Sequence, residues 1–98
     1  MSGESKPGTV VEPDLERLAR LLPPYAVILH NDDHNTMDHV VVALVRSVPS
    51  LSPQDAVRIM LEAHNNGRAA VIVCPLEIAE LYRDRLQSFG LTATIEKS

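Results

Sequence analysis

The sequence predicts an α+β fold, a two-layer sandwich in which three helices pack on a small three-stranded antiparallel sheet in the order β-α-α-β-α-β. Three observations carry this. Short runs of β-branched residues alternate with stretches whose apolar residues recur at helical spacing, Pro and Gly mark the changes of period, and the links between elements are short.

Met1 to Asp14 carry Gly, Ser, Pro and charges without periodicity, a composition expected to be mobile. Leu15–Leu22 (LERLARLL) has helical spacing, but Pro23 and Pro24 stop it at once, leaving at most a turn or two of helix. Residues 1–23 are therefore read as a flexible N-terminal tail and 24–98 as the folded domain. Tyr25–Leu29 is uninterrupted and apolar, as in a strand covered on both faces or packed beneath helices. Asn31, Asp32 and Asp33 then turn the chain, because short polar side chains bond nearby backbone. From Thr36 the period is helical, with Met37, Val40, Val41, Leu44, Val45 and Val48 on one stripe. Asn35 stands where an N-cap belongs, with Asp38 three residues on, close to a capping box.

Pro49 ends that helix, and Ser52-Pro53-Gln54-Asp55 opens the next with a cap, a first-turn proline and an acid. Its stripe is Ala56, Ile59, Met60 and Ala63, with His64 beside it and Gly67 as a left-handed stop. Arg68–Val73 is a second strand. Cys74-Pro75 leads into a third helix whose inward residues are expected to be Ile78, Ala79, Leu81, Tyr82 and Leu86, closed by Gly90. In the last strand, Leu91, Ala93 and Ile95 alternate with Thr92, Thr94 and Glu96, one dry face and one wet.

Composition narrows the function. At 98 residues the chain is one small domain plus a tail. A formal net charge of -4 leaves no basic stripe for nucleic acid. The longest apolar runs, Val40–Val45 and Ala69–Cys74, fall far short of the roughly 20 residues a bilayer span takes. A lone Cys74 and an opening without a charged, apolar, cleavable leader suit a reducing, cytoplasmic compartment. No cofactor is implied.

The stretch that carries chemistry is Tyr25–Val40 (YAVILHNDDHNTMDHV), where a strand end meets a helix start with carboxylates and amides between them. It makes a polar rim above a floor of Met and Val. Such a site suits a ligand that is cationic at one end and apolar at the other.

The runs ILHNDDHNTMDHVV, MLEAHNNGRAAVIVC with its His64 and Gly67, and LTATIEK resemble the ClpS family of proteolytic adaptors, in its cyanobacterial and chloroplast branch. The likeness extends from about Tyr25 to the C-terminus. It implies a binding module without chemistry of its own, hence no enzyme. Such a module recognises N-degron proteins that begin with Leu, Phe, Tyr or Trp and delivers them to a ClpC- or ClpA-like Clp/Hsp100 unfoldase for degradation by ClpP. By position, Asn31, Asp33 and His64 would surround the substrate's α-amino group, and Asp32 would help hold the peptide backbone. Met37, Val40, Met60, Ala63 and Leu91 would line the side-chain pocket, with Leu29 and Asn35 at its edges. Glu77 and part of the tail would belong to the surface that docks on the unfoldase's N-terminal domain. Many relatives carry an aromatic residue at the position of His34, Thr at Asn35, Pro at Thr36 and Val at Ala63. Ala63 should widen or deepen the pocket.

Two other functions fit the residues. A regulator of the unfoldase could act through its tail and keep only a degenerate pocket. A small metal-dependent enzyme could use His30, Asp32 and His34, which alternate on an extended chain, with His39 or His64. Extended spacing sends Asn31 and Asp33 to the opposite face, so one turn does not present both sets to one site, and no tighter ligand spacing signals a metal. Neither Ser nor Cys stands in a nucleophile's context.

Overall fold

A central strand, β1 (Pro24–His30), is hydrogen-bonded on both sides and sets the register of everything else. The computed structural model describes residues 22–98; residues 1–21 of the expected tail, with all of the expected Leu15–Leu22 turn but Leu22, lie outside the described residues. After β1 come helices α1 (Met37–Ser47) and α2 (Pro53–Asn66), strand β2 (Arg68–Pro75), helix α3 (Leu76–Ser88) and strand β3 (Thr92–Lys97). The sheet order is β2-β1-β3, and both pairings are antiparallel. The architecture is the α+β sandwich expected from the sequence.

One face of the sheet carries the core. Val27 and Leu29 from β1, Ala69 and Val71 from β2 and Ala93 from β3 are buried against Ala43, Leu44, Ile59, Ala79 and Leu86 of the helices. The pairing of β1 with β2 shifts between Val27 and Ile28, so Val71 is the extra residue of a bulge. Val71 and Ile72 therefore both pack toward the core in succession, which strict alternation forbids. On the other face Arg68, Ala70, Thr92, Thr94 and Glu96 are exposed. Arg68 pairs with Glu96 across that face. Their strand partners, His30 and Ala26, flank Ile28, so the ion pair spans the buried Ile28.

The helix boundaries follow local chemistry. Ser52 and Asp55 form a reciprocal capping box, with the Ser52 hydroxyl accepting from the Asp55 N–H at 3.0 Å and the Asp55 carboxylate from the Ser52 N–H at 3.1 Å. Gly67 ends α2 at φ 93°, a left-handed conformation that costs glycine nothing. Helix α3 ends in a Schellman motif: Gly90 at φ 86° donates to the Gln87 carbonyl and Leu91 to the Leu86 carbonyl.

Two expectations fail. Ile78 and Leu81 are exposed, at 42% and 47%, because α3 faces the sheet with the stripe Ala79, Tyr82, Leu86 and Phe89. That spacing of three and four residues leaves Ile78 and Leu81 about one residue, roughly 100°, off axis. The cap of α1 is Thr36, whose hydroxyl accepts from the His39 N–H at 3.2 Å; Asn35 is engaged elsewhere.

Ser47 is fully buried between α1 and α3, and its hydroxyl has no hydrogen-bond partner among the described residues. Its carbonyl accepts from the Arg85 guanidinium at 3.2 Å. A buried unsatisfied hydroxyl costs about 1–3 kcal/mol, so Ser47→Ala should raise stability by about 1 kcal/mol in urea unfolding. A variant less stable than the parent would show that the hydroxyl has a partner.

Candidate functional site

The turn after β1 is pinned from two directions. Asn31 donates its backbone N–H to the Gly67 carbonyl at 2.9 Å, which ties the end of β1 to the end of α2 and brings His64 alongside. His30 closes β1 with Nε2 at 2.7 Å from the Thr94 hydroxyl on β3. Asp32 then acts as the hub of the turn. One oxygen, Oδ1, accepts the backbone N–H of His34 at 2.9 Å and of Asn35 at 3.1 Å. The Asn35 amide donates to both Asp32 oxygens at 3.1 Å, and the Thr92 hydroxyl lies 3.4 Å from Oδ2. Burial pushes the Asp32 carboxyl upward, but the N–H donors of His34 and Asn35 outweigh it and hold the group below its usual range.

Asn35 is the residue on which the sequence misleads. Its Nδ2 donates onward to the Gly90 carbonyl at 3.0 Å, so the amide bridges the turn to the α3–β3 corner instead of capping α1.

Between this turn, α1, α2 and the α3–β3 corner lies a cavity of about 320 Å³. All eleven residues singled out around the turn and pocket line it: Leu29, Asn31, Asp32, Asp33, Asn35, Met37, Val40, Met60, Ala63, His64 and Leu91. His30 and Thr36 line it as well. From the sequence alone, His30 enters only as a candidate metal ligand and Thr36 only as the start of the helix, not as parts of a binding pocket. The floor is apolar and largely buried, with Leu29, Met60, Ala63 and Leu91 each at most 9% exposed. Val40 is half-buried, and Met37 stands at the lip, 45% exposed. At the rim, Asn31, Asp33 and His64 are exposed, and among the described residues their side chains have no hydrogen-bond partner. An apolar well beneath unpaired acceptors can take a cation attached to a greasy side chain.

Of the residues weighed as metal ligands, His30, Asp32 and His64 line the cavity but form no ligand cluster among the described residues. His30 faces Thr94, and the Asp32 carboxylate is taken up by the turn. Among the described residues no three His, Cys, Asp or Glu side chains are grouped to hold an ion. Cys74 is half-buried beside the core, and burial pushes its thiol up, away from the reactive thiolate. Glu77 lies far along the chain from the turn, in a second, apolar cavity with Leu22, Pro23, Tyr25, Pro75, Leu76 and Ile78. No helix among the described residues is long and apolar enough to cross a membrane.

A family model described as ATP-dependent Clp protease adaptor protein ClpS matches residues 21–94, a span that holds the whole cavity. The chain belongs to the ClpS family. It is 48% identical to the ATP-dependent Clp protease adapter protein ClpS of Prochlorococcus marinus, over 97% of this chain and 90% of the relative. It is 42% identical to a chloroplastic Clp protease adapter of Arabidopsis thaliana, over 95% of this chain and 58% of that longer protein. Among solved structures, Agrobacterium tumefaciens ClpS2 bound to L-phenylalaninamide superposes with a TM-score of 0.73 at 32% identity, covering 78% of this chain and 98% of the other. ClpS proteins are adapters of the Clp protease, and this chain has their fold and sequence.

Proposed function

We propose that this ClpS protein is an N-degron adaptor that acts by binding alone. It holds the free α-amino group and bulky first side chain of a substrate and hands the substrate to a Clp unfoldase. The observation that carries this is the pairing of three acceptors, Asn31, Asp33 and His64, whose side chains have no hydrogen-bond partner among the described residues, with the apolar well of Leu29, Met60, Ala63 and Leu91 in the same cavity. An α-amino group is mostly ammonium at neutral pH, with donors and no acceptor. The Asn31 carbonyl, the Asp33 carboxylate and an unprotonated nitrogen of His64 complement it. An internal peptide bond has no ammonium, and binding one would strand these acceptors at about 1–3 kcal/mol each.

The well contributes the rest. Burying a Leu- or Phe-sized side chain adds about 1.5–3 kcal/mol. Met37 and Met60 are flexible enough to fit Leu, Phe, Tyr and Trp in turn. Asp32 keeps its carboxylate for the turn and so shapes the place where the peptide backbone lies. The ligand of the Agrobacterium relative, a phenylalanine unit with a free amino group, has just these two features, which supports the assignment. A degenerate pocket is not favoured, since the cavity is open at its rim and unobstructed at its floor. The domain over residues 24–98 is the adaptor body, the Glu77 surface with its apolar neighbours docks on the N-terminal domain of a ClpC- or ClpA-like unfoldase, and residues 1–23 serve delivery.

Fluorescence anisotropy with one peptide varied only at its first residue tests the reading. Phe, Leu, Tyr and Trp should bind and Ser, Glu and Lys should not; indifference to the first residue would refute it. Met37 at the lip is placed to exclude β-branched side chains, so Met37→Ala should admit Ile or Val at least about fivefold better, a gain of about 1 kcal/mol. No change in the Ile and Val peptides would deny Met37 that role.

A further inference from the structure

The pocket has a wall that comes from outside the turn and its helices. Leu91, 4% exposed, stands at the α3–β3 corner, just past the Schellman turn at Gly90. The last carbonyls of a helix and its exit turn need donors from elsewhere. At this corner the Phe89 and Gly90 carbonyls receive them from two side chains one helical turn apart, Asn35 and His39. The Asn35 amide reaches Gly90 at 3.0 Å, and Nε2 of His39 lies 2.6 Å from the Phe89 carbonyl. A carbonyl only accepts, so Nε2 carries the proton. The His39 ring also meets the Phe89 ring edge to face, with centroids 6.2 Å apart.

We propose that His39 is a specificity-determining positioning residue, whose Nε2–H bond to Phe89 fixes the corner that sets Leu91 against the side-chain pocket. The proposal rests on the N-degron reading. His39 lines no part of the cavity and touches no ligand. It acts through the corner. With the bond gone, the corner is linked to the turn only by the Asn35 amide at Gly90 and the longer Thr92–Asp32 contact, so the Schellman turn can move as a unit and carry Leu91 with it. The pocket then grips a first side chain less firmly while the amino-group acceptors, held by Asp32 and Gly67, stay in place.

Two affinity ratios separate the halves of the site: a Phe-initiated peptide over its Ala-initiated counterpart reports the pocket, and the free Phe peptide over its N-acetylated form reports the amino-group site. His39→Phe keeps the ring contact and removes the donor; His39→Gln keeps a donor at a similar reach. In His39→Phe the first ratio should fall about threefold to tenfold, the worth of one hydrogen bond, and the second should hold. His39→Gln should preserve both. An unchanged first ratio in His39→Phe, an equal loss in His39→Gln, or a parallel fall of both ratios would overturn the proposal. If His39→Phe does not fold, the His39→Gln comparison and the parent's long-range 1H–15N spectrum decide: an Nδ1–H tautomer for His39 refutes the tether. Failure of the parent to bind any Phe-initiated peptide would instead sink the adaptor reading itself, whatever the tautomer.

Discussion

A Phe-initiated peptide should lose at least about thirtyfold in affinity when its α-amino group is acetylated, the loss expected if two or three acceptors are each stranded at about 1–3 kcal/mol. Acetylation removes the charge and two of the donors and leaves the side chain intact. Asn31, Asp33 and His64 then face an amide that cannot satisfy them, while Leu29, Met60, Ala63 and Leu91 still meet the same ring. The residual affinity therefore measures the well alone. The same logic fixes the pH dependence. An ammonium bound among acceptors has its pKa raised above the free value of about 7.7–8.0, so its contribution to affinity is complete below that range and is lost as pH rises through it, by about tenfold per unit. Isothermal titration of the two peptides from pH 6 to about pH 9.5 checks both statements. Equal affinities for free and acetylated peptide would remove the amino-group site, and a flat pH profile would show that the ammonium is not what is held.

The order of elements was legible because period changes are local. A run such as Tyr25–Leu29 reads as a strand whatever it packs against, and Ser52 with Asp55 announces a helix start within four residues. What the sequence hid depends on partners distant along the chain. Asn35 is as good an N-cap as Thr36 by propensity, and only the Gly90 carbonyl, brought in by β3, decides that its amide bridges instead. Ile78 and Leu81 look like core because α3 carries more apolar residues than one stripe holds; the sheet contact selects Ala79, Tyr82 and Leu86, and Ile78 is left to the second cavity. The bulge at Val71 leaves no mark on a run that is apolar throughout. For the cavity the difficulty is different. Spacing shows that Met60, Ala63 and Leu91 point inward, but a floor and a core are equally buried, and only three-dimensional closure distinguishes them. The acidic turn was visible as a turn, and its resemblance to ClpS sequences, rather than its spacing, marked it as a binding rim.

The two adjacent aspartates should fail in different ways. Asp33 has no side-chain partner among the described residues, so Asp33→Ala should weaken binding of a Phe-initiated peptide at least about tenfold and leave thermal stability within about 0.5 kcal/mol of the parent. Asp32 holds the turn. Its removal strands the His34 and Asn35 N–H groups and frees the Asn35 amide, which loosens the link to Gly90. Asp32→Ala should therefore cost about 1–3 kcal/mol of stability, a fall of roughly 4–8 °C in Tm per kcal/mol for a domain of this size, and should weaken peptide binding as a consequence. The pH dependence identifies the cause. The folded-state pKa of Asp32 is depressed, so its contribution is complete above the unfolded value of about 3.9 and is lost as pH falls through the lower folded value. The stability difference between the parent and Asp32→Ala should be full at pH 5–7 and shrink in acid, where the parent's carboxyl is protonated. Urea unfolding of both variants across that range, paired with anisotropy at pH 7, separates the two roles. A destabilised Asp33→Ala, or an Asp32→Ala that loses affinity at undiminished stability, would exchange them, and would put Asp32 in contact with the peptide instead of beneath it.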